Sequence, residues 1–268
     1  MPARVPPVAV ALLALSVLSA RADTAVKCTY KTLSACPKIG CAKPSSPLAA
    51  TNSQKRTAAT SGSPAKISFA DLRDLQGDVE KKFADPPIVV AGETVKSYRS
   101  MKAAPRKILL SGLPVSGGKF SEGDFVELSG FIASRKLAPH PNTGESVNCK
   151  FKDEPRNDYH INLTPAKNGD ETQGVVIEMI PQDANRKNKS WNLTKLATIQ
   201  DKQLPVKVRG RLFFDSEHKP NTQQTGGGGN PRRFSLWEIH PISSFFVCES
   251  GSCTSGGWKA LEDWNPSP

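Results

Sequence analysis

Residues 232–248, RRFSLWEIHPISSFFVC, have the pattern of one long β-strand, and this strand predicts which side chains face a core. Side chains alternate between the two faces of a strand, so Trp237 and Ile239 share one face while Glu238 and His240 share the other. The large apolar pair is expected to point into a barrel core. Glu238 and His240 then point outward, beneath a covering layer that also buries the apolar residues of their face.

A carboxylate buried beneath such a cover needs a charged or hydrogen-bonding partner. For Glu238 the expected partner is an arginine of the preceding strand, Arg209 or Arg211, and His160 is the alternative. The arginine is favoured, which predicts a structural role for Glu238.

Four further strand patterns and one helix pattern precede this stretch. The strands are predicted over residues 124–134, 157–163, 174–181 and 205–215, with a helix over 190–200 before the fourth strand. Three strands, a helix and two strands is the order of the OB-fold, a five-stranded, partly open Greek-key barrel. Gly130 and Gly210 lie within strands, where a tightly curved barrel needs a bend or bulge. We therefore predict a mainly β chain built on an OB-type barrel, with an irregular β-sandwich as the alternative.

The chain is predicted to divide into four parts. Residues 1–22 combine a basic start, an apolar run and a small-x-small end, which is typical of a signal peptide. Residues 23–66 form a cysteine-stapled start and a flexible segment rich in Ser, Thr, Ala, Pro and Lys. Residues 67–110, with a helix that begins after Ser68, are expected to cover the barrel. Residues 111–268 form the barrel domain and a C-terminal tail.

The six cysteines all follow the predicted cleavage site: Cys28, Cys36, Cys41, Cys149, Cys248 and Cys253. An even number of cysteines in an exported chain favours disulfides. Cys248 and Cys253 are the most local pair. Of the three N-terminal cysteines, at least one has to reach outside its cluster, where Cys149 is available, or stay free. No later segment is apolar enough to cross a bilayer, so a periplasmic or secreted location is predicted.

Acidic residues and histidines recur at a spacing that places them on one strand face. In an OB-type barrel His160, Glu178, Glu238 and His240 fall on three neighbouring strands, and these are the candidate catalytic residues. Imidazole and carboxylate groups suit zinc, manganese or non-haem iron. The candidate metal ligands are Asp158, His160, Asp215, His218, Glu238 and His240. Structural hydrogen bonds are the alternative, and the specific H-E-x-x-H signature is absent.

Basic residues predict a second kind of site. The chain carries a formal net charge of +11, which suits an anionic partner. Lys207, Arg209 and Arg211 lie on one face of the fourth strand, and Arg232 and Arg233 enter the fifth. These five residues are the predicted binding surface for a polyanion, namely nucleic acid, an oligosaccharide or a cell-envelope polymer. An ordinary solvated strand face is the alternative.

Five motifs resemble one group of proteins: ESVNC, NDYHINL, VVIEMIP, VRGRLFFDSEH and NPRRFSLWEIHPI. They are similar to those of exported bacterial proteins that are regarded as OB-like. The resemblance covers most of the chain beyond residue 22. It implies export and an OB-like fold, and it implies no reaction and no catalytic residues.

Two functions are therefore predicted. The first is an exported binding or envelope-associated module that uses no cofactor. The alternative is a hydrolase or nuclease that depends on a divalent metal held by the Asp, His and Glu residues. The two differ in whether His160, Glu178, Glu238 and His240 converge on one point. The sequence leaves the oligomeric state open.

Overall fold

A computed structural model describes residues 28–58, 62–137, 144–220, 232–249, 253 and 256–266. The predicted signal peptide, residues 1–22, lies outside these ranges. The helices are α1 Pro47–Lys55, α2 Phe69–Lys82, α3 Ala103–Leu109, α4 Ala184–Lys187 and α5 Leu193–Asp201. The strands are β1 Ala65–Lys66, β2 Ile88–Val90, β3 Glu93–Val95, β4 Leu113–Val115, β5 Gly118–Phe120, β6 Phe125–Leu137, β7 Tyr159–Thr164, β8 Val175–Met179, β9 Val206–Phe214, β10 Trp237–Cys248 and β11 Trp258–Ala260. Helix makes up 25% and strand 29% of the structure, so strand does not predominate in the way the sequence predicted.

Five strands close into a barrel, as predicted. β6 pairs with β7, β7 with β8, β8 with β10, β10 with β9, and β9 with β6 again. Only the β8–β10 pairing in this barrel is parallel, and the other four are antiparallel. These are the five predicted strands, and α5 lies between the third and the fourth of them.

Alternation along the barrel strands separates an apolar interior from an outer face. Trp237 and Ile239 are fully buried in the core, together with Leu212 and Phe214 of β9 and Ile177 of β8. Glu238 and His240 alternate with the two core residues of β10 and so lie on the outer face, as predicted. They are nevertheless fully buried, because a second layer covers this face.

The cover differs from the one predicted. Helix α1 lies in the segment that was expected to be flexible, and its Lys55 reaches to 5.9 Å from the Phe213 ring on the outer face. Thr51 Oγ1 of the same helix is 3.0 Å from Ser216 Oγ. Composition alone did not predict this helix, because packing on the barrel stabilises short helices that are marginal in isolation.

Residues 67–110 contribute the rest of the cover. Ser68 caps α2 through a capping box with Asp71, as its position in the sequence indicates. The α2 residue Gln76 accepts a hydrogen bond from the Leu236 backbone N–H at 2.8 Å. From α3, Arg106 Nη1 donates to Ser216 Oγ at 2.9 Å. The predicted covering segment therefore packs beside α1 and does not cover the outer face alone.

Three cysteine pairs lie at disulfide distance. The Cα–Cα distances are 5.4 Å for Cys28–Cys41, 5.9 Å for Cys36–Cys149 and 5.7 Å for Cys248–Cys253. Cys36 thus reaches the distant Cys149, and the local pair is the one that the sequence indicated. Within the described ranges, no helix combines the length and the apolar character needed to cross a membrane.

Gly210 allows β9 and β10 to approach closely at an irregular point of their pairing. The register shifts between Ile239 and Ile242, where Pro241 interrupts the hydrogen-bond ladder. A Cβ on Gly210 would lie 2.5 Å from the carbonyl oxygen of Pro241 and 2.7 Å from Cα of Ile242. Both neighbours are backbone atoms, so they have little freedom to move away.

We therefore expect Gly210→Ala to destabilise the fold by about 2 kcal/mol, the usual cost of overpacking a core. Chemical denaturation measures this change. Gly77→Ala is the matched control, because a Cβ at this α2 position meets nothing within 4 Å and alanine favours a helix by up to about 1 kcal/mol. Equal stability of the two variants would contradict the close approach at Gly210.

Candidate metal centre

Strand register brings His160, Glu178 and His240 together on the outer face of the barrel. His160 of β7 lies directly opposite Glu178 of β8. Ile177 of β8 pairs with Ile239 of β10, so the residues that follow them, Glu178 and His240, are also neighbours. His160 Nε2 is 3.2 Å from Glu178 Oε1, and His240 Nδ1 is 2.9 Å from Glu178 Oε2. Glu178 thus lies between two histidines.

Three more carboxylates surround these residues. Glu145 Oε1 is 3.3 Å from His160 Nε2. Asp158 Oδ2 is 4.0 Å from His240 Nε2, and Glu238 Oε2 is 3.7 Å from His240 Nδ1. Two triads result, each with ligand atoms that all lie within 4.8 Å of one another. We call Asp158, Glu178 and His240 the inner triad, and Glu145, His160 and Glu178 the outer triad.

The inner triad is buried and its ligand atoms lack ordinary partners. Asp158 and Glu178 are 1% exposed and His240 is 0% exposed. Among the described residues, Asp158 Oδ2, Glu178 Oε2 and both ring nitrogens of His240 have no hydrogen-bond partner. Buried polar atoms without partners are rare in native proteins because each costs desolvation energy. His240 Nδ1 and Glu178 Oε2 thus lie at ion-pair distance, although no hydrogen bond of good geometry joins them.

The cluster contains more carboxylates than buried cations. Lys55 is buried among them, and burial by itself lowers its pKa, but Glu178, Glu145, Asp215 and Glu238 outweigh burial and hold its pKa well above the ordinary value. Arg233 lies on the Glu238 side. Among the described residues, five carboxylates thus face two fully buried cations: Glu145, Asp158, Glu178, Asp215 and Glu238 against Lys55 and Arg233. Protons on the histidines or a metal ion can balance this excess.

In the metal-free chain the histidines hold protons. Burial lowers the pKa of His160, but Glu178 and Glu145 outweigh it and raise the pKa to about 9. His240 behaves in the same way, and the carboxylates of Glu178 and Glu238 raise its pKa to about 10. Burial and the charges of Glu145 and Glu178 raise the pKa of Asp158 to about 7. Near neutral pH both histidines therefore keep their protons, and Asp158 is the member of the three that titrates.

These shifts predict that the metal-free protein loses stability in alkali. Above pH 6.5 an unfolded chain releases its histidine protons, whereas the folded chain keeps them until pH passes about 9 and then about 10. The stabilisation is complete below pH 6.5 and is lost as pH rises through those two values. In excess chelator, we expect the free energy of unfolding to fall by at least about 2 kcal/mol between pH 7 and pH 10. Urea denaturation measures it, and a profile that is flat or rises would contradict the shifts.

Asp215 and His218 lie beside the two triads. His218 Nδ1 contacts Asp215 Oδ2, and Arg233 Nη1 lies 3.3 Å from the same oxygen. Arg233 also forms an ion pair with Glu238. The arginine partner of Glu238 is therefore Arg233, and not Arg209 or Arg211 as expected. Arg233 lies before β10, in a stretch to which the two-residue period of a strand does not apply.

The predicted basic surface is divided among several environments. Arg209 Nε lies 2.6 Å from Glu127 Oε2, and Lys207 Nζ lies 4.0 Å from the same oxygen. Arg211 Nη2 donates to Gln54 Oε1 at 2.6 Å, so it contacts the end of α1. The backbone N–H of Arg232 donates to Glu171 Oε2, and Arg233 is 1% exposed. Lys207 and Arg209 thus remain beside each other, whereas Arg233 belongs to the buried cluster.

Glu145 and Lys55 were not among the candidate residues. Glu145 begins the ESVNC motif, outside any strand pattern, and only that motif pointed to it. Lys55 ends a helix that the composition did not predict. No protein-family model and no curated protein matches this chain.

Proposed function

We propose that the chain is a metalloprotein that binds a divalent transition-metal ion through Asp158, Glu178 and His240, and that the ion serves a hydrolytic reaction. One observation carries the proposal: the buried ligand atoms of the inner triad converge without hydrogen-bond partners. Imidazole nitrogen with carboxylate oxygen is a ligand set of zinc, manganese and non-haem iron.

A network of salt bridges is the competing explanation for the same residues. In such a network a buried histidine donates hydrogen bonds to its carboxylates, because a buried polar group without a partner is costly. Glu178 Oε2, 2.9 Å from His240 Nδ1, raises the pKa of His240 as an ion-pair partner would, but Asp158 Oδ2 and His240 Nε2, 4.0 Å apart, have no hydrogen-bond partner within the described structure. The ligands of one ion converge on a common point, and the ligand atoms of the inner triad all lie within 4.8 Å of one another.

Hydrolysis is the reaction class that this ligand set supports. A bound divalent ion lowers the pKa of water and stabilises negative charge on a substrate oxygen. Access is from the outer triad, where the Glu145 side chain is 15% exposed and that of His160 is 8% exposed. The basic net charge favours a polyanionic substrate, so a nucleic acid is the first substrate to test.

Elemental analysis tests the metal. The protein is produced in an oxidising compartment, purified without chelator and dialysed, and we expect a stoichiometric divalent metal that a chelator removes. His218→Gln is the matched control, because His218 lies outside both triads and should keep its metal. Cleavage of single-stranded and double-stranded nucleic acid is then assayed with and without the ion. Protein that takes up no divalent metal at micromolar concentration would overturn the proposal.

We further propose that the barrel is of OB type and that the chain is exported. The strand order and the position of α5 between β8 and β9 support the OB assignment. Cysteine pairs at disulfide distance are compatible with an oxidising compartment, and they support the proposed similarity to exported OB-like proteins.

Polyanion binding remains a second candidate because of one groove. A groove of about 530 Å³ is lined by Lys207, Glu127, Phe69 and Trp258, among others. Lys207 Nζ lies 4.8 Å from the Trp258 ring centroid. A basic group that can bind a phosphate therefore lies beside an aromatic ring on which a base can stack.

Binding at this groove should depend on salt. We expect the double substitution Lys207→Gln and Arg209→Gln to flatten the slope of log K against log salt by about 0.7 for each phosphate of a single strand that the two side chains neutralise in the wild type. Filter binding of a single-stranded oligonucleotide between low and physiological salt measures the slope. Arg211→Gln, whose side chain contacts Gln54 of α1, is the control. An unchanged slope in the double variant would exclude this surface.

A further inference from the structure

We propose that the cluster binds two divalent metal ions, one in each triad, and that Glu178 bridges them. This inference rests on the proposed metal site and adds a second, more accessible ion to it. The second position is that of Glu145, His160 and Glu178.

The two carboxylate oxygens of Glu178 face different histidines. Oε1 lies 3.2 Å from His160 Nε2, on the side of the outer triad. Oε2 lies 2.9 Å from His240 Nδ1, on the side of the inner triad. A carboxylate that offers one oxygen to each of two sites is a bridging ligand, and two-metal centres hold their ions about 3.5–4 Å apart.

The backbone around Glu145 presents its side chain to the outer triad. Lys150 N–H donates to the Glu145 carbonyl at 2.8 Å, and Cys149 N–H donates to the Ser146 carbonyl at 3.0 Å. The Cys36–Cys149 pair ties this turn to the N-terminal segment. Asn52 of α1 donates to Ser146 Oγ at 3.0 Å. The turn is therefore held from two sides, and Glu145 Oε1 is kept 3.3 Å from His160 Nε2.

Unpartnered atoms are present in both triads. Among the described residues, three buried carboxylate oxygens of the triads have no hydrogen-bond partner: Glu145 Oε2, Glu178 Oε2 and Asp158 Oδ2. Each triad contains one histidine nitrogen and two carboxylates, with Glu178 common to both. The excess of carboxylates over Lys55 and Arg233 also favours more than one divalent charge.

The two ions are expected to differ in their access to water. The inner ligands Asp158 and His240 are at most 1% exposed. The outer ligands Glu145 and His160 are 15% and 8% exposed in their side chains. The outer ion is therefore the first that a water molecule and a substrate reach, and the inner ion lies behind it, joined to it through Glu178.

Manganese titration tests the inference with metal alone as the probe. Metal-free protein is titrated with Mn²⁺ and followed by equilibrium dialysis and electron paramagnetic resonance. We expect two ions per chain, with an exchange-coupled signal in place of the six lines of isolated Mn²⁺ after the second ion binds. Glu145→Gln should bind one ion and give an uncoupled signal, because it removes a ligand of the outer triad alone.

Asp158→Asn is the reciprocal variant and should retain only the outer ion. Circular dichroism establishes that both variants are folded, and the wild-type spectrum tests the bridge without any substitution. One ion per chain in the wild type, unaffected by Glu145→Gln, would overturn the inference and leave the single metal site standing. Two ions without magnetic coupling would overturn the bridging role of Glu178. No bound ion would overturn the metal site itself.

Discussion

Glu178→Gln is expected to abolish divalent-metal binding while the barrel stays folded. Glu178 is the residue common to both triads, so the substitution removes an anionic ligand from each ion at once. Glutamine has nearly the same shape, and the change also removes a buried negative charge from a cluster with an excess of carboxylates. Elemental analysis after dialysis should show metal in the wild type and none in the variant. Any hydrolytic activity should be lost with the metal.

Glu127→Gln is the matched control for this result. Glu127 is also a strand glutamate, but it pairs with Lys207 and Arg209 at the surface and lies in neither triad. It should keep its full metal content. If the Glu178→Gln protein retains the metal, Glu178 is not a required metal ligand, and the proposed ligand shared by both triads is contradicted.

Arg233→Gln is expected to be the most destabilising of these substitutions, by about 3–5 kcal/mol. Arg233 is 1% exposed and pairs with both Glu238 and Asp215. Burial lowers its pKa, but the charges of Glu238 and Asp215 outweigh burial and raise it, so the guanidinium is charged in the fold. Removing it leaves two buried carboxylates without their cation. Thermal and urea denaturation in excess chelator measure the loss apart from any metal effect.

Arg209→Gln is the control for Arg233→Gln. Its side chain is 34% exposed and pairs with Glu127, so the expected loss is within about 1 kcal/mol. The double variant Arg233→Gln with Glu238→Gln should recover part of the stability, because one uncompensated charge is removed. Equal stability of the Arg233→Gln and Arg209→Gln variants would contradict the ion pairs assigned to Arg233.

The error over the partner of Glu238 has a physical origin. The two-residue period predicted correctly that the side chains of Glu238 and His240 point away from the core, because this period depends only on the extended backbone of β10. It could not predict the position of Arg233, because that residue lies before Trp237, where β10 begins. The expected partner Arg209 instead lies opposite Glu127 in the β6–β9 register and pairs with it.

The sequence by itself determined the five barrel strands, the helix before the fourth of them and the outward face of Glu238 and His240. Each of these depends on a pattern of neighbouring residues, and such patterns are local properties of the backbone. The tertiary structure decided what lies above that face. Register placed Glu178 between two histidines, while α1 and the turn at Glu145 brought Lys55 and a further carboxylate from distant parts of the chain. Those contacts depend on how separate segments pack, and no period within a segment encodes them.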